Sequence, residues 1–203
     1  MPRSAHAHRE ATYQDVLDAP EEMIAEILDG ELVLSPRPAA AHANSASDLG
    51  ADLRIQFGRR GGGGPGGWQI LYEPELHLGR HVLVPDLAGW RRERMPVVSR
   101  VAFFEQVPDW VCEVLSPGTA VRDRMRKMRI YARHGVPHTW LVDPEARMLE
   151  TYRLSDGHWL QLEVFAGDTR VRAEPFDAVE LDMTGWWLPE PEQPEVPPPA
   201  DEG

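Results

Sequence analysis

Asp86, Glu113 and Lys127 are the residues of this chain whose types and spacing suggest chemistry. Asp86 closes the run Val82-Leu83-Val84-Pro85, and Glu113 interrupts a second apolar run, between Trp110-Val111-Cys112 and Val114-Leu115. A carboxylate within an apolar β-type segment is costly to bury unless it is paired or bound to a cation. Either acid alone is read more simply as a strand-end charge facing water or an arginine. If the two strands are neighbours, however, both carboxylates can converge on one hard cation. Mg²⁺ is bound in this way, with water and a substrate phosphate completing its shell. Lys127 follows on the next helix and is the only lysine; the other 20 basic residues are arginines. A compact ammonium beside a metal site can orient water and offset charge developing on a phosphate.

The elements that must position these groups follow from periodicity. A short helix is expected at residues 12–18. Asp29-Gly30 between two β-type runs predicts a tight type I′ hairpin that pairs Leu28 with Glu31 and Glu26 with Val33. Glu26 and Glu31 then share one face, with Ile27, Leu32 and Leu34 on the other. Ala46, Leu49, Leu53 and Phe57 form one apolar stripe on a helix over residues 42–60. The glycine run at 61–67 lacks the Gly-Lys-Ser/Thr ending of a phosphate loop and reads as a flexible connector. Strands are expected at 68–78, 81–90 and 110–115, with a mixed, loop-like segment at 91–108. A helix at 119–134 follows, capped by Thr119, with Val121, Met125, Met128 and Ala132 on one side and Gly135 as its stop. Further strands are expected at 138–142, 147–153 and 158–165, then a β-rich stretch to about residue 188. This order of elements predicts an α/β or α+β fold with the site on a central mixed sheet. The expected organisation is an arm at 1–10, one domain at 11–188 and a disordered proline-rich acidic tail at 189–203.

Composition excludes several classes. The single cysteine, Cys112, rules out an internal disulfide and a cysteine-rich zinc site, and its apolar setting suggests a buried thiol. No apolar run approaches the ~20 residues of a membrane span, and residues 1–10 lack a signal-peptide core, so a cytoplasmic protein is expected. The net charge is −12, or −7 without the tail (28 acids against 21 bases in residues 1–188). That opposes nucleic-acid binding unless the bases cluster. They do, at Arg91, Arg92 and Arg94 and again from Arg122 to Arg133. His77 and His81 flank a Gly-Arg turn and read as solvated. His134 and His138 are separated by Gly135 and Pro137 and cannot form a helical zinc pair. His42 opens the long helix, where it reads as a cap or surface residue that could also approach a phosphate. Trp186-Trp187 reads as packing for the last β segment or a subunit contact.

The segments Leu28-Asp29-Gly30-Glu31-Leu32-Val33, Val84-Pro85-Asp86, Glu113-Val114-Leu115-Ser116-Pro117, Asp123 through Lys127, Tyr131, Gly135-Val136 and Trp140-Leu141-Val142-Asp143-Pro144 resemble the Uma-two family. That bacterial family lies within the PD-(D/E)XK restriction-endonuclease-like superfamily, and the resemblance covers roughly residues 12–188. It implies a mixed sheet flanked by helices and a metal site in which Asp86 and Glu113 match the acidic positions. The common superfamily lysine stands two residues after the glutamate, where this chain has Leu115. The family resembled carries its lysine on the following helix, at the place of Lys127. Glu31 matches a further acid near the metal, with Glu26 as the alternative.

The expected activity is phosphodiester hydrolysis with Mg²⁺ or Mn²⁺ held by Asp86 and Glu113 and assisted by Lys127. Arg122, Arg124 and Arg126 are the expected phosphate contacts. The expected partner is nucleic acid, DNA first, with a homodimer as the assembly for cutting two strands. One alternative is a non-catalytic interaction protein on the same fold, which the domain charge, the acidic tail and Leu115 suit. Another is a hydrolase of a small phosphorylated molecule, which needs a closed pocket.

Overall fold

The computed structural model describes residues 9–58 and 64–189. Most of the expected arm, the glycines at 61–63 and the tail from residue 190 lie outside the described residues. The first helix, α1, is Tyr13–Leu17. Asp29 and Gly30 both take positive φ, 51° and 84°, as a type I′ turn requires. They join β1 (Met23–Leu28) to β2 (Glu31–Pro36) in the expected register.

Two segments expected as single strands are each broken in two. Residues 68–78 form β3 (Trp68–Tyr72) and β4 (Leu76–Leu78). Residues 81–91 form β5 (His81–Leu83) and β6 (Leu87–Arg91). Glu73 takes φ 43° at the first break, and Pro74 and Pro85 have no N–H to give to a ladder. The Glu73 N–H donates to the Asp86 carbonyl at 2.9 Å, which holds the two breaks side by side. Through these breaks the chain passes between two sheets. The small sheet has the order β2-β1-β5-β4.

The large sheet has the order β10-β9-β8-β7-β6-β3. It is completed by β7 (Trp110–Val114), β8 (His138–Asp143), β9 (Met148–Ser155) and β10 (His158–Ala166). Only β7 and β8 pair in parallel; the other neighbours are antiparallel. The sheet is therefore mixed, in an α+β arrangement. The β7–β8 crossover is helical: α3 (Ala120–Arg122), a π turn (Asp123–Lys127) and α4 (Met128–Arg133) run on as one element. Gly135, at φ 76°, ends it by letting Val136 N–H reach back to the Tyr131 carbonyl.

Alternation along β7 sends Trp110, Cys112 and Val114 to one face of the sheet and Val111 to the other. The first face is covered by α2 (Ala40–Leu53) and its π-helical extension (Arg54–Gly58), whose Ala46, Leu49, Leu53 and Phe57 are all buried, as the stripe predicted. Trp68, Trp110, Trp140 and Phe176 meet there with ring centroids 4.7–5.4 Å apart. Rings in that range gain about 0.5–1.5 kcal/mol per pair beyond their buried area. A short ribbon, β11 (Arg170–Val171) with β12 (Leu181–Asp182), and a 3₁₀ turn (Met183–Trp186) close this side. The Trp186 indole donates to Asp52 at 2.8 Å. On the opposite face Ile130 and Tyr131 pack with Leu28, Trp90 and Val111.

Three expectations are corrected. The predicted stripe of the crossover helix is buried only in its second half: Met128 is buried and Ala132 half-buried, but Val121 and Met125 are 70% and 69% exposed, while Asp123, Lys127, Ile130 and Tyr131 point inward. The helix turns charged side chains inward because they overlook a cleft rather than a dry core. Thr119 makes no side-chain cap. The histidines of the Gly-Arg turn are not solvated: the His81 ring accepts the Asp29 N–H at 3.2 Å, and His77 stacks on Phe103 and bonds Glu75. No helix among the described residues is long and apolar enough to cross a membrane.

Candidate active site

Asp86 stands where the chain crosses from the small sheet to the large one, so its backbone belongs to no ladder and its side chain turns toward the end of β7. One carboxylate oxygen accepts the Val114 N–H at 2.7 Å; the other lies 2.6 Å from His42 Nε2. Glu113 is the fourth residue of β7, on the face that the crossover helix covers. Its two oxygens take the Lys127 ammonium at 2.7 Å and the Tyr131 hydroxyl at 2.5 Å. The π turn ends at Lys127 and aims it at the strand that precedes the helix. The ammonium also reaches Glu26 at 3.0 Å and the Val84 carbonyl at 3.3 Å. Glu26, His42, Asp86, Glu113 and Lys127 line one cleft of about 300 Å³, with Tyr131 behind Glu113, so the structure brings Asp86, Glu113 and Lys127 together.

Glu31 does not join them. Its side chain is 63% exposed and pairs with Arg126 at 3.0 Å. Glu26, at 2% exposure, is the hairpin acid in the cleft, and it also accepts the Val84 N–H at 2.9 Å. The two glutamates share a face, and the crossover helix reaches both, but Glu26 meets the buried Lys127 while Glu31 meets Arg126 at the surface. Of the expected phosphate contacts, Arg122 lines the cleft, whereas Arg124 is paired with Glu150 and Arg126 with Glu31 and the Leu28 carbonyl. His42, Arg37, Asp123 and Tyr131 enter the site without having been singled out as members of it. For His42 the available signal was its place at the mouth of an amphipathic helix whose stripe faces the sheet.

Charge is unevenly held in the cleft. Four acids, Glu26, Asp86, Glu113 and Asp123, line the cleft against the buried Lys127 ammonium and the Arg37 and Arg122 guanidinium groups, and Glu26 and Glu113 touch the ammonium. Burial pushes Glu113 well above the usual carboxylate range; Lys127 opposes this, and Asp123, Asp86 and Glu26 add to it. Asp123 is raised by the same burial, with Lys127 again opposing. Burial acts to lower Lys127, but Glu113, Glu26 and Asp123 outweigh it and hold the ammonium above its ordinary value. Burial likewise raises the Tyr131 hydroxyl, with Glu113 adding to it, so Tyr131 is a donor.

This surplus of hard oxygen donors fits a divalent cation, with Asp86 and Glu113 as the residues that could hold it. Among the described residues no set of three or more His, Cys, Asp or Glu forms a ready cage. Mg²⁺ does not need one, because it keeps several waters and substrate oxygens beside one or two carboxylates.

The comparisons with known proteins bear on the fold and the family. A solved structure from Anabaena variabilis, described as "a putative nuclease belonging to DUF820", superposes with a TM-score of 0.67 at 24% sequence identity, covering 87% of this chain and 97% of that one. At that identity the likeness concerns the fold, which is the restriction-endonuclease-like mixed sheet. No curated protein matches the chain. The family model Uma2, described as "Putative restriction endonuclease", matches residues 11–184. That match spans most of the 203 residues, and the chain belongs to the Uma2 family.

Proposed function

We propose that this chain is a metal-dependent nuclease that hydrolyses phosphodiester bonds in the cleft of Asp86, Glu113 and Lys127. One observation carries the reading: the two acids and the lysine come from three separate stretches of chain, the β5–β6 crossing, β7 and the crossover helix, and line a single cleft. Asp86 and Glu113 would hold Mg²⁺ or Mn²⁺. Bound there, the ion supplies positive charge against the oxygens that become more negative as phosphorus is attacked.

The protein's own groups prepare that place. Val114 N–H and His42 fix the two Asp86 oxygens, and Lys127 and Tyr131 fix those of Glu113. Lys127 has three protons and three acceptors, so it is not a free proton acceptor for water. Its role is a fixed positive charge, able to turn the proton of its longest contact, to the Val84 carbonyl, toward a phosphate oxygen. Arg37 and Arg122 on the rim would hold the substrate backbone.

The test is cleavage of labelled oligonucleotides, DNA and RNA, single and double stranded, in Mg²⁺ or Mn²⁺. Activity lost with chelator, in Asp86→Ala and in Lys127→Ala supports the reading. Cleavage that survives Asp86→Ala contradicts it. The cleft volume of about 300 Å³ favours, as a second reading, a small phosphorylated substrate. Hydrolysis of a phosphodiester dye ester but of no oligonucleotide would select that one.

A further inference from the structure

The arginine-rich helix offers a phosphate backbone far less than its composition suggests. Arg124 is held by both oxygens of Glu150, which also accepts from Tyr152. Arg126 is taken by the Leu28 carbonyl at 2.6 Å and by Glu31. Asp29, on the hairpin turn, collects Arg129 at 2.8 Å and Arg133 at 3.6 Å. The 91–94 group does not line the cleft: Arg94 is paired with Asp109, Arg92 donates to the Gly58 carbonyl, and Arg91 lies over the Trp68 ring. An arginine paired with an acid brings that acid to the phosphate with it, and Glu150, Glu31 and Asp29 offset all but one of the four charges of Arg124, Arg126, Arg129 and Arg133. Lys127 is enclosed by its own carboxylates.

Among the described residues lining the cleft, two arginines remain available. Arg37, just beyond β2, is 59% exposed; one guanidinium nitrogen donates to the Glu21 carbonyl at 3.2 Å, and its nearest acid, Glu73, lies 3.9 Å away, so its charge is uncancelled. Arg122, on the crossover helix, makes its short bond to a neutral group, the Ser35 hydroxyl at 2.7 Å, and a longer one of 3.4 Å to Asp123. A duplex presents one charge per roughly 1.7 Å of its axis and is gripped through many phosphates at once. This domain, at −7 without its tail, has no such grip to offer from the described part of its cleft.

Resting on the nuclease reading, we propose that the cleft holds a single nucleic-acid strand, or an unpaired end, through two phosphates, one at Arg37 and one at Arg122. A flexible strand can bend a phosphodiester into the cleft toward Asp86 and Glu113. An extended duplex would meet Asp29, Glu31 and Glu150 wherever it sought the helix arginines.

Salt dependence tests this directly. Fluorescence anisotropy would follow a labelled single strand of about 12 nucleotides, a length typical of single-strand sites, and a duplex of the same sequence. The full chain carries Asp86→Asn so that cleavage does not deplete the probe. Two phosphate contacts to a single strand predict an affinity loss of about sevenfold between about 50 and 200 mM salt. Arg37→Ala and Arg122→Ala should each weaken binding and roughly halve the logarithmic salt dependence. Arg124→Ala and Arg126→Ala, checked for folding by circular dichroism, should leave it unchanged. Tighter binding of the duplex, with an affinity loss of about a thousandfold over that salt range, overturns the two-phosphate strand site and leaves the nuclease reading standing. An equal loss of salt dependence in Arg124→Ala or Arg126→Ala does the same. Binding of neither probe at any salt overturns the nuclease reading and this inference with it.

Discussion

Lys127 is bonded to two buried carboxylates and a carbonyl, which makes it a structural residue as well as a candidate catalytic one. Removing it leaves Glu113 and Glu26 buried without their cation. Breaking a buried pair from one side costs about 3–5 kcal/mol, so Lys127→Ala should show a matching drop in urea unfolding free energy. Its activity is therefore to be read at a temperature where the variant is folded. His42 acts on Asp86 alone. A group that orients a metal-binding carboxylate is worth about 10–100-fold in metal affinity, so His42→Ala should weaken Mn²⁺ binding by that factor, and His42→Gln, which keeps an N–H donor, should recover part of it. An unchanged affinity in His42→Ala would remove His42 from the site. The acids Asp86 and Glu113 were legible because each interrupts an apolar run. Glu26 was not separable from Glu31, because alternation places both on one face and only the tertiary partner, Lys127 or Arg126, distinguishes them. A histidine at a helix mouth looks the same in sequence whether it faces water or a carboxylate.

At the scale of elements, helices and turns were more legible than strand ends. The Asp29-Gly30 turn, the α2 stripe and the Gly135 stop each rest on local chemistry and stand where expected. The breaks at residues 73–75 and 84–86 depend on which sheet each half joins, a long-range choice that a run of apolar residues does not record. The inward face of the crossover helix was misread in its first half, at Val121 and Met125, because there it carries charge toward a cleft. Gly135 has open space around its missing side chain, so Gly135→Ala isolates the backbone cost. Thermal unfolding should show a loss of about 1–2 kcal/mol, the penalty for a left-handed residue with a Cβ. Arg124 fastens the π turn to β9 through Glu150. Burial pushes Glu150 up, but the hydrogen bonds from Arg124 and Tyr152 outweigh it and leave its pKa depressed. A depressed carboxylate contributes stability above its unfolded pKa and loses that contribution as pH falls through the folded one. Arg124→Met should therefore be less stable than wild type at neutral pH. The gap should close below the ordinary glutamate value of about 4.3, as equilibrium unfolding at several pH values would reveal. A gap constant down to acid pH would mean that the pair does not fasten the helix.

Across the whole molecule, the site lies at the junction of two sheets and the crossover helix, so its geometry depends on the entire fold. Cys112 reports on that integrity. It is fully buried in the large core, and burial raises its thiol well above the ordinary value, with Asp86 and Glu113 adding to the effect. A disulfide reagent should react with it only at the rate of global unfolding; fast labelling of the native protein would contradict the packing described. The measurement that bears most directly on the active-site account is calorimetric titration of Mg²⁺ and Mn²⁺ into the wild-type chain and Asp86→Ala, each alone and with a short oligonucleotide. The account predicts a wild-type binding isotherm, in at least the oligonucleotide arm, that disappears in Asp86→Ala. Binding indifferent to Asp86, or none in any arm, would contradict it.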